Sequence, residues 1–393
     1  MKIGIYNRYI NALGGGEKRT LALAEHLSHR HTVSLIVPYC LDKPFLEGYF
    51  NIDLGRVRVV VLDSNSRSGL PHRGSVEAIY FNQIKAMELD LLINNSHQSH
   101  LMCPASRGIY MCMFPHQVWG SPLEWKTPFT LLDSLSIRWK SLMSGQTLKA
   151  VNSYDVVTAN SQFTGHWIKR RWKRQSEVVY SVCERMAEDV DFSQKKPVIL
   201  NVGRFIGDPW KFHHKRQDVL LEAFKRFHLA QCQGWELHFA GSRPNDAAGH
   251  EFLETLIASA NGFPVQFHPG IPFEALRQLY RTASIYWHAT GYGCSAEAYP
   301  ERQEHFGVTT VEAMSAGLVP VVINSGGQRE SVRHQGNGFL WNDLDEMIEL
   351  TQSLILDREL RERLGVQAAT DSKQFCREAF LERMDRILER LTT

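Results

Sequence analysis

Short apolar runs alternate with longer stretches in which apolar residues recur at helical spacing, and the pattern is laid down twice. In the first half, Lys2–Tyr6 reads as a buried strand, followed by Gly14-Gly15-Gly16 and a helix near Glu17–Leu27. Further strands are expected at Thr32–Val37, Val57–Leu62, Asp90–Ile93, Gly108–Met113 and Val156–Ala159, with a helix starting at Ser161-Gln162-Phe163. The pattern restarts after Gln194-Lys195-Lys196-Pro197. Strands are expected at Val198–Val202, Glu236–Ala240, Val265–Phe267, Ser284–His288 and Val319–Ile323. Between them fall helices at Arg216–Leu229, Glu251–Ala260, Phe273–Thr282 and Glu304–Ala316. Helices dominate after Asp343, ending in Glu378–Leu391. Strands alternating with helices predict an α/β protein of two doubly wound parallel sheets. The domains are expected at 1–195 and 196–375, with the boundary near Ser193–Pro197 and a terminal helical segment over 376–393.

Composition narrows the class. A chain of 393 residues suits two domains, and 43% hydrophobic with 22% charged residues is ordinary for a globular protein. No apolar run approaches the ~20 residues of a membrane span. The opening Met1–Asn7 meets Arg8 at once, which disfavours a secretory signal. Seven scattered cysteines without a C-x-x-C pair favour a reducing, cytoplasmic setting over disulfides or a zinc site. The net charge of +2 is unevenly spread: residues 1–194 hold 22 Lys+Arg against 17 Asp+Glu (+5), and the remainder 22 against 25 (−3). The basic half is therefore the one to face an anionic acceptor or a membrane surface.

The chemistry concentrates at Glu304-His305-Phe306-Gly307-Val308-Thr309-Thr310-Val311-Glu312, followed by Ala313-Met314-Ser315-Ala316-Gly317. Eight helical residues make close to two turns, so Glu304 and Glu312 are expected to face the same way. If the helix starts near Gly307, Glu304 lies in the preceding loop, and the N–H groups of Gly307, Val308 and Thr309 are free to bind an anion. Carboxylates for sugar hydroxyls beside amides for phosphate suggest a nucleotide-sugar site.

This pattern resembles the E-x7-E signature of retaining GT-B glycosyltransferases of family 4, and its E-H-F-G form is most similar to the mannosyl- and glucosyltransferase branches. The resemblance implies a GT-B fold, two Rossmann-like domains facing across a cleft, with the 376–393 helix crossing back to the first. It implies transfer of a hexose from a GDP- or UDP-linked donor to a glycan or lipid-linked acceptor, with retention. Glu304 would serve the donor sugar, Glu312 the ribose, and Phe306, Gly307, Val308 and Thr309 would also bind the donor. Asn201-Val202-Gly203-Arg204 and Lys215 through Phe224 match the family's diphosphate motif, giving Arg204 and Lys215 that role, with Arg216 as the alternative to Lys215. Two fixed cations can stabilise a departing diphosphate without a metal, so none is expected. Pro269-Gly270-Ile271 resembles the turn beneath the donor base; it is equally a plain turn. Ser325-Gly326-Gly327 permits close backbone approach to a ligand.

In the first half, Gly15 and Gly16 form the loop expected to approach diphosphate and acceptor. Gly14-Gly15-Gly16-Glu17 lacks the G-x-G-x-x-G spacing and the later acidic residue of a dinucleotide turn, which disfavours a dehydrogenase. His97, just past a strand, matches a family histidine near the donor sugar and acceptor hydroxyl. His116 lines the acceptor cleft or is simply a loop histidine. The basic-aromatic stretch Trp167–Arg174 reads first as a solvated face with Trp packed inward and second as a peripheral contact with the inner membrane face. A sugar-nucleotide epimerase or phosphorylase of the same architecture is one rival, and a non-catalytic nucleic-acid binder is another, although no nucleic acid is expected as a partner.

Overall fold

The computed structural model describes residues 1–63, 73–117, 145–207, 214–231, 234–244 and 246–392. The chain forms two compact units, Met1–Ser181 with Phe380–Thr393, and Val182–Ala379. The division falls at Ser181/Val182, upstream of the 193–197 stretch that composition suggests. The reason is local: Met186 is already buried in the second unit's core, and its amide donates to Ser315 Oγ at 2.9 Å.

The first unit holds a seven-stranded sheet in the order β3-β2-β1-β4-β5-β6-β7. Its strands are β1 (Lys2–Tyr6), β2 (Thr32–Val37), β3 (Arg58–Val61), β4 (Leu91–Asn94), β5 (Arg107–Cys112), β6 (Val156–Ala159) and β7 (Glu177–Val178). The second holds six strands, β10-β9-β8-β11-β12-β13. These are β8 (Val198–Val202), β9 (Glu236–Gly241), β10 (Val265–Pro269), β11 (Ile285–His288), β12 (Val319–Ile323) and β13 (Phe339–Trp341). Every pairing is parallel. β8 and β12 are buried along their whole length, as strands covered on both faces must be. On one face of the second sheet pack Ile199, Phe224, Phe239 and Trp287; on the other, Leu200, Tyr280, Tyr286 and Met314. Strand order reverses between β1 and β4 in one sheet and between β8 and β11 in the other. Ligands of open parallel sheets bind beyond the carboxyl ends of the strands at such reversals.

Two local predictions change. Gly15 and Gly16 are not loop: they open helix α1 (Gly15–Ser28), with Gly14 as N-cap and Glu17 accepting from the Gly14 amide at 2.8 Å. The predicted Glu304–Ala316 helix shortens to α2 (Val308–Ser315), because Gly307 takes φ +98 and ends the regular geometry. Among the described residues no helix is long and apolar enough to cross a membrane.

The last helix, α3 (Arg377–Thr392), begins in the second unit and buries Phe380, Met384, Ile387 and Leu388, most of its length belonging to the first. Asp385 fixes it there, accepting from His26 Nε2 at 2.9 Å and Arg30 at 2.8 Å. Burial pushes the Asp385 carboxyl up, but hydrogen bonds from Arg30 and His26 outweigh it and hold it below its ordinary 3.8. A carboxylate with a depressed folded pKa adds stability above its unfolded pKa and loses it as pH falls through the folded one. Asp385→Asn should therefore lower unfolding free energy at pH 7 by no more than about 1 kcal/mol, the pair being partly exposed. The difference should vanish in chemical melts near pH 2.

Candidate functional site

The β8/β11 reversal gathers the chemistry of the second unit. β8 ends at Val202, and the chain turns through Gly203 to Arg204, which is exposed and has no ion-pair partner among the described residues. Lys215 lies against Gly203, where a Cβ would meet its side chain at 2.7 Å, so only glycine leaves room for it. Lys215 Nζ donates to Glu304 Oε2 at 2.5 Å. The same carboxylate oxygen lies 3.2 Å from His288 Nε2, and Thr290 Oγ1 stands 3.2 Å from that nitrogen. Arg216, the alternative in the motif, turns elsewhere: it pairs with Asp218 at 3.1 Å and donates to the Tyr292 carbonyl.

Burial alone would raise the Glu304 pKa, but the Lys215 charge and the His288 hydrogen bond hold it well below the carboxylate range. Burial lowers the His288 pKa, opposed by Glu304 and assisted by Lys215. The Glu304 carboxylate is thus held ionised, with Lys215 Nζ and His288 Nε2 both on the same oxygen. His288 closes β11 with its side chain fully buried, and the sequence had no means to single it out.

Helix α2 follows directly. Thr310 and Val311 already bond the Gly307 carbonyl, at 3.1 Å each. The amides of Gly307, Val308 and Thr309 carry no such backbone bond among the described residues and form the positive end of the helix. Gly307 is required twice over: its φ is +98, and a Cβ would lie 2.8 Å from Gln328 Oε1. That buried Gln328 amide has no hydrogen-bond partner among the described residues and borders the helix start, a second position the sequence did not reveal. The Thr309 hydroxyl accepts from Tyr286 at 2.7 Å. Glu312 is buried in the second turn, and its charge adds to the burial that raises the pKa of both Tyr280 and Tyr286. Because Glu304 stands outside the helix, the two carboxylates are not stacked on one helical face. Burial raises the Tyr286 pKa, and the charges of both Glu304 and Glu312 add to the rise.

Two of the predicted donor positions pack against protein. Phe306 is buried and meets Phe375 edge-on, with 5.4 Å between ring centroids. Ser325-Gly326-Gly327 presses on protein, not on an open site: the Gly327 amide donates to the Glu304 carbonyl at 2.7 Å, and a Cβ on Gly326 would lie 2.2 Å from that oxygen. Ser325 Oγ donates to Gln303 at 2.6 Å. The tripeptide therefore positions the Glu304 loop. Gly270 follows β10 with φ +73, its amide bonded to the Gly241 carbonyl at 2.7 Å, and Ile271 packs partly buried beside it.

In the first unit, Gly16 packs against Met113, and its carbonyl accepts from Asn95 Nδ2 at 2.8 Å. Asn95 also donates to Thr20 at 2.6 Å and accepts from the buried Arg19, whose pKa burial lowers to about 10. His97 lies two residues beyond Asn95, half-buried. His116 Nε2 contacts Thr147 Oγ1 at 2.7 Å. On the helix Gln162–Trp172, both Trp167 and Trp172 are buried, Arg171 donates to the Pro115 carbonyl and Arg174 to that of Tyr154. Of the insertion Ile206–His214, residues 208–213 with Trp210 lie outside the described residues. Two Asp-x-Asp triplets occur, Asp189–Asp191 and Asp343–Asp345. Asp191 and Asp343 accept from backbone amides two and three residues on, as local caps.

Comparison with known proteins completes the assignment. A curated relative from Yarrowia lipolytica, GDP-Man:Man(3)GlcNAc(2)-PP-Dol alpha-1,2-mannosyltransferase, is 30% identical over 193 residues, 44% of this chain and 28% of its own. Human alpha-1,3/1,6-mannosyltransferase ALG2 is 31% identical over 254 residues, 60% of this chain and 59% of its own. The chain thus spans well under two thirds of these relatives' lengths. Among solved structures, Anabaena Alr3699/HepE in complex with UDP and glucose matches with TM-score 0.69 at 18% identity over the whole of both chains. WaaG, a lipopolysaccharide-biosynthesis glycosyltransferase, matches with TM-score 0.68 at 14% identity, covering 98% of this chain and 99% of its own. Both share the two-unit GT-B fold. The family model Glycosyltransferase Family 4 matches residues 13–182 and the model Glycosyl transferases group 1 matches 184–371, so this chain belongs to the family 4, group 1, glycosyltransferases.

Proposed function

We propose that the protein transfers a hexose from a nucleoside-diphosphate sugar to a hydroxyl of a glycan or lipid-linked acceptor, with retention and without a metal. The observation that carries this reading is the Lys215–Glu304–His288 cluster beside the free amides of α2, at one sheet reversal. The amides and Arg204 take the diphosphate. Lys215 has three N–H donors and Glu304 occupies one, leaving two for phosphate oxygens. Glu304, kept ionised, accepts from donor-sugar hydroxyls, and Glu312 serves the ribose. Negative charge developing on the departing diphosphate is met by fixed donors, and the leaving oxygen takes the acceptor proton. GDP-mannose is the first donor to test, because GDP-Man appears in the relatives' names. Product formation that requires an acceptor and keeps the anomeric configuration separates this reaction from an epimerase.

Glu304→Gln should cut turnover by about 10²–10³-fold, the usual loss for one oriented polar group in an active site. It should still fold, with a lowered melting temperature because Lys215 loses its counter-charge. Glu312→Ala should chiefly weaken nucleotide affinity, read by calorimetry. Wild-type kinetics in both variants would sink the assignment.

Arg204 and Lys215 together take the role of a divalent ion. Activity should therefore persist in excess chelator, and loss restored by magnesium or manganese would refute it.

A lipid-linked acceptor implies peripheral binding at an anionic membrane face, at roughly 1 kcal/mol per basic residue near the surface. Arg171 and Arg174 hold backbone carbonyls, so the exposed Lys169 and Lys173 are the charges to remove. Co-sedimentation with anionic vesicles should fall in high salt and in Lys169→Gln/Lys173→Gln. Indifference to anionic lipid would favour a soluble acceptor.

A further inference from the structure

At the opposite ends of the second unit's strands lies a cavity of about 140 Å³ lined by Lys195, Arg358, Arg361, Ser193, Ser284 and Glu362, among others. At about 30 Å³ per water, it holds several water volumes. Lys195 precedes β8, Ser284 precedes β11 and Gly317 precedes β12, so the cavity is remote from the donor edge of the same sheet. It sits beneath the carboxyl end of α2. Lys195 Nζ donates to the Ala316 carbonyl at 2.7 Å and to that of Tyr280 at 3.3 Å.

The charges here do not balance. Glu362 is paired with Arg358 at 2.6 Å. Arg361 donates to the Leu354 carbonyl and lies over the Trp235 ring, 5.5 Å from its centroid, with no carboxylate in contact. Lys195 likewise meets only carbonyls. Burial pulls its pKa down to about 7, while Arg361 is lowered by burial and by Arg358 against the pulls of Glu362 and Asp357. Three cationic side chains thus border one small cavity whose lining holds a single carboxylate, Glu362, and the half-buried Lys195 meets no counter-charge among the described residues.

We propose that this cavity is a second ligand site, which binds a phosphate-sized dianion between Lys195, Arg358 and Arg361. Lys195 keeps one N–H beyond its two carbonyl bonds. Arg358, with 71% of its side chain exposed, can turn its guanidinium between Glu362 and an anion. The bound anion would supply the missing counter-charge under the helix whose other end faces the donor site.

Inorganic phosphate is the probe, titrated calorimetrically into the full chain and against melting temperature, with sodium chloride at matched ionic strength as reference. Saturable binding and stabilisation beyond chloride are expected, with sulfate acting similarly. Arg358→Gln should weaken affinity on the order of tenfold, as loss of a charge-assisted bond does. Its surface position keeps the fold intact. Lys195→Met should abolish binding; if it does not fold, Arg358→Gln decides. Phosphate can also occupy the donor site, so the cavity is read from the component of binding that Arg358→Gln weakens, and Arg204→Gln, at the other edge of the sheet, should leave that component unchanged. Equal effects of phosphate and chloride, wild-type affinity in Arg358→Gln, or loss of that component in Arg204→Gln would each overturn the proposal.

Discussion

Glu304 keeps its charge in a place where burial would otherwise neutralise it, because Lys215 lies 2.5 Å away and His288 adds a second donor to the same oxygen. That contact ties three separate parts of the second unit together: the approach to the helix after β8, the end of β11, and the loop before α2. It forms only if β8 and β11 are neighbours, which is the point where strand order reverses. A carboxylate fixed there is already oriented and already ionised, so it offers a hydrogen-bond acceptor that needs neither proton loss nor rearrangement.

The glycines around this contact serve packing as much as ligand approach. Gly203 gives way to the Lys215 side chain, and Gly327 to the His305 carbonyl, 2.2 Å from where a Cβ would sit. Gly326 does the same for the Glu304 carbonyl. The loop carrying Glu304 is therefore clamped by backbone from a turn twenty residues later in the chain. A glycine-rich motif that reads as a ligand cradle here holds the Glu304 loop against its neighbour. Gly307, at the start of α2, combines a left-handed backbone with amides that carry no backbone bond among the described residues.

The two ends of the second sheet differ in charge balance for a related reason. At the carboxyl ends, Lys215 and Glu304 offset one another. At the amino ends, Lys195 satisfies helix and loop carbonyls and Arg361 a carbonyl and an indole face, so hydrogen bonds are met while net charge is not. Hydrogen-bond satisfaction and charge neutrality are separate requirements, and a site can fulfil the first without the second.

Strand identity was legible in the sequence because parallel strands buried on both faces are continuous apolar runs bounded by polar turns. Lys2–Tyr6, Val198–Val202 and Val319–Ile323 fall at their predicted limits for that reason. The Glu304–Glu312 spacing and the family resemblance likewise marked the site, since both depend on local order along the chain. Partners distant in sequence were not legible. His288 and Gln328 carry no local signal, and their relation to Glu304 and Gly307 arises only when β11, the Gly327 turn and α2 come together. Nor could spacing decide that Lys215, not Arg216, meets Glu304, or that Gly15 and Gly16 are helical. Those outcomes depend on a capping contact from Glu17 and on a left-handed turn at Arg216, φ +53, which direct each side chain. The sequence by itself determined the order of elements and the kinds of chemistry present. The tertiary structure alone decided which charges touch, because Coulomb and hydrogen-bond energies depend on a few ångströms of separation that chain spacing does not fix.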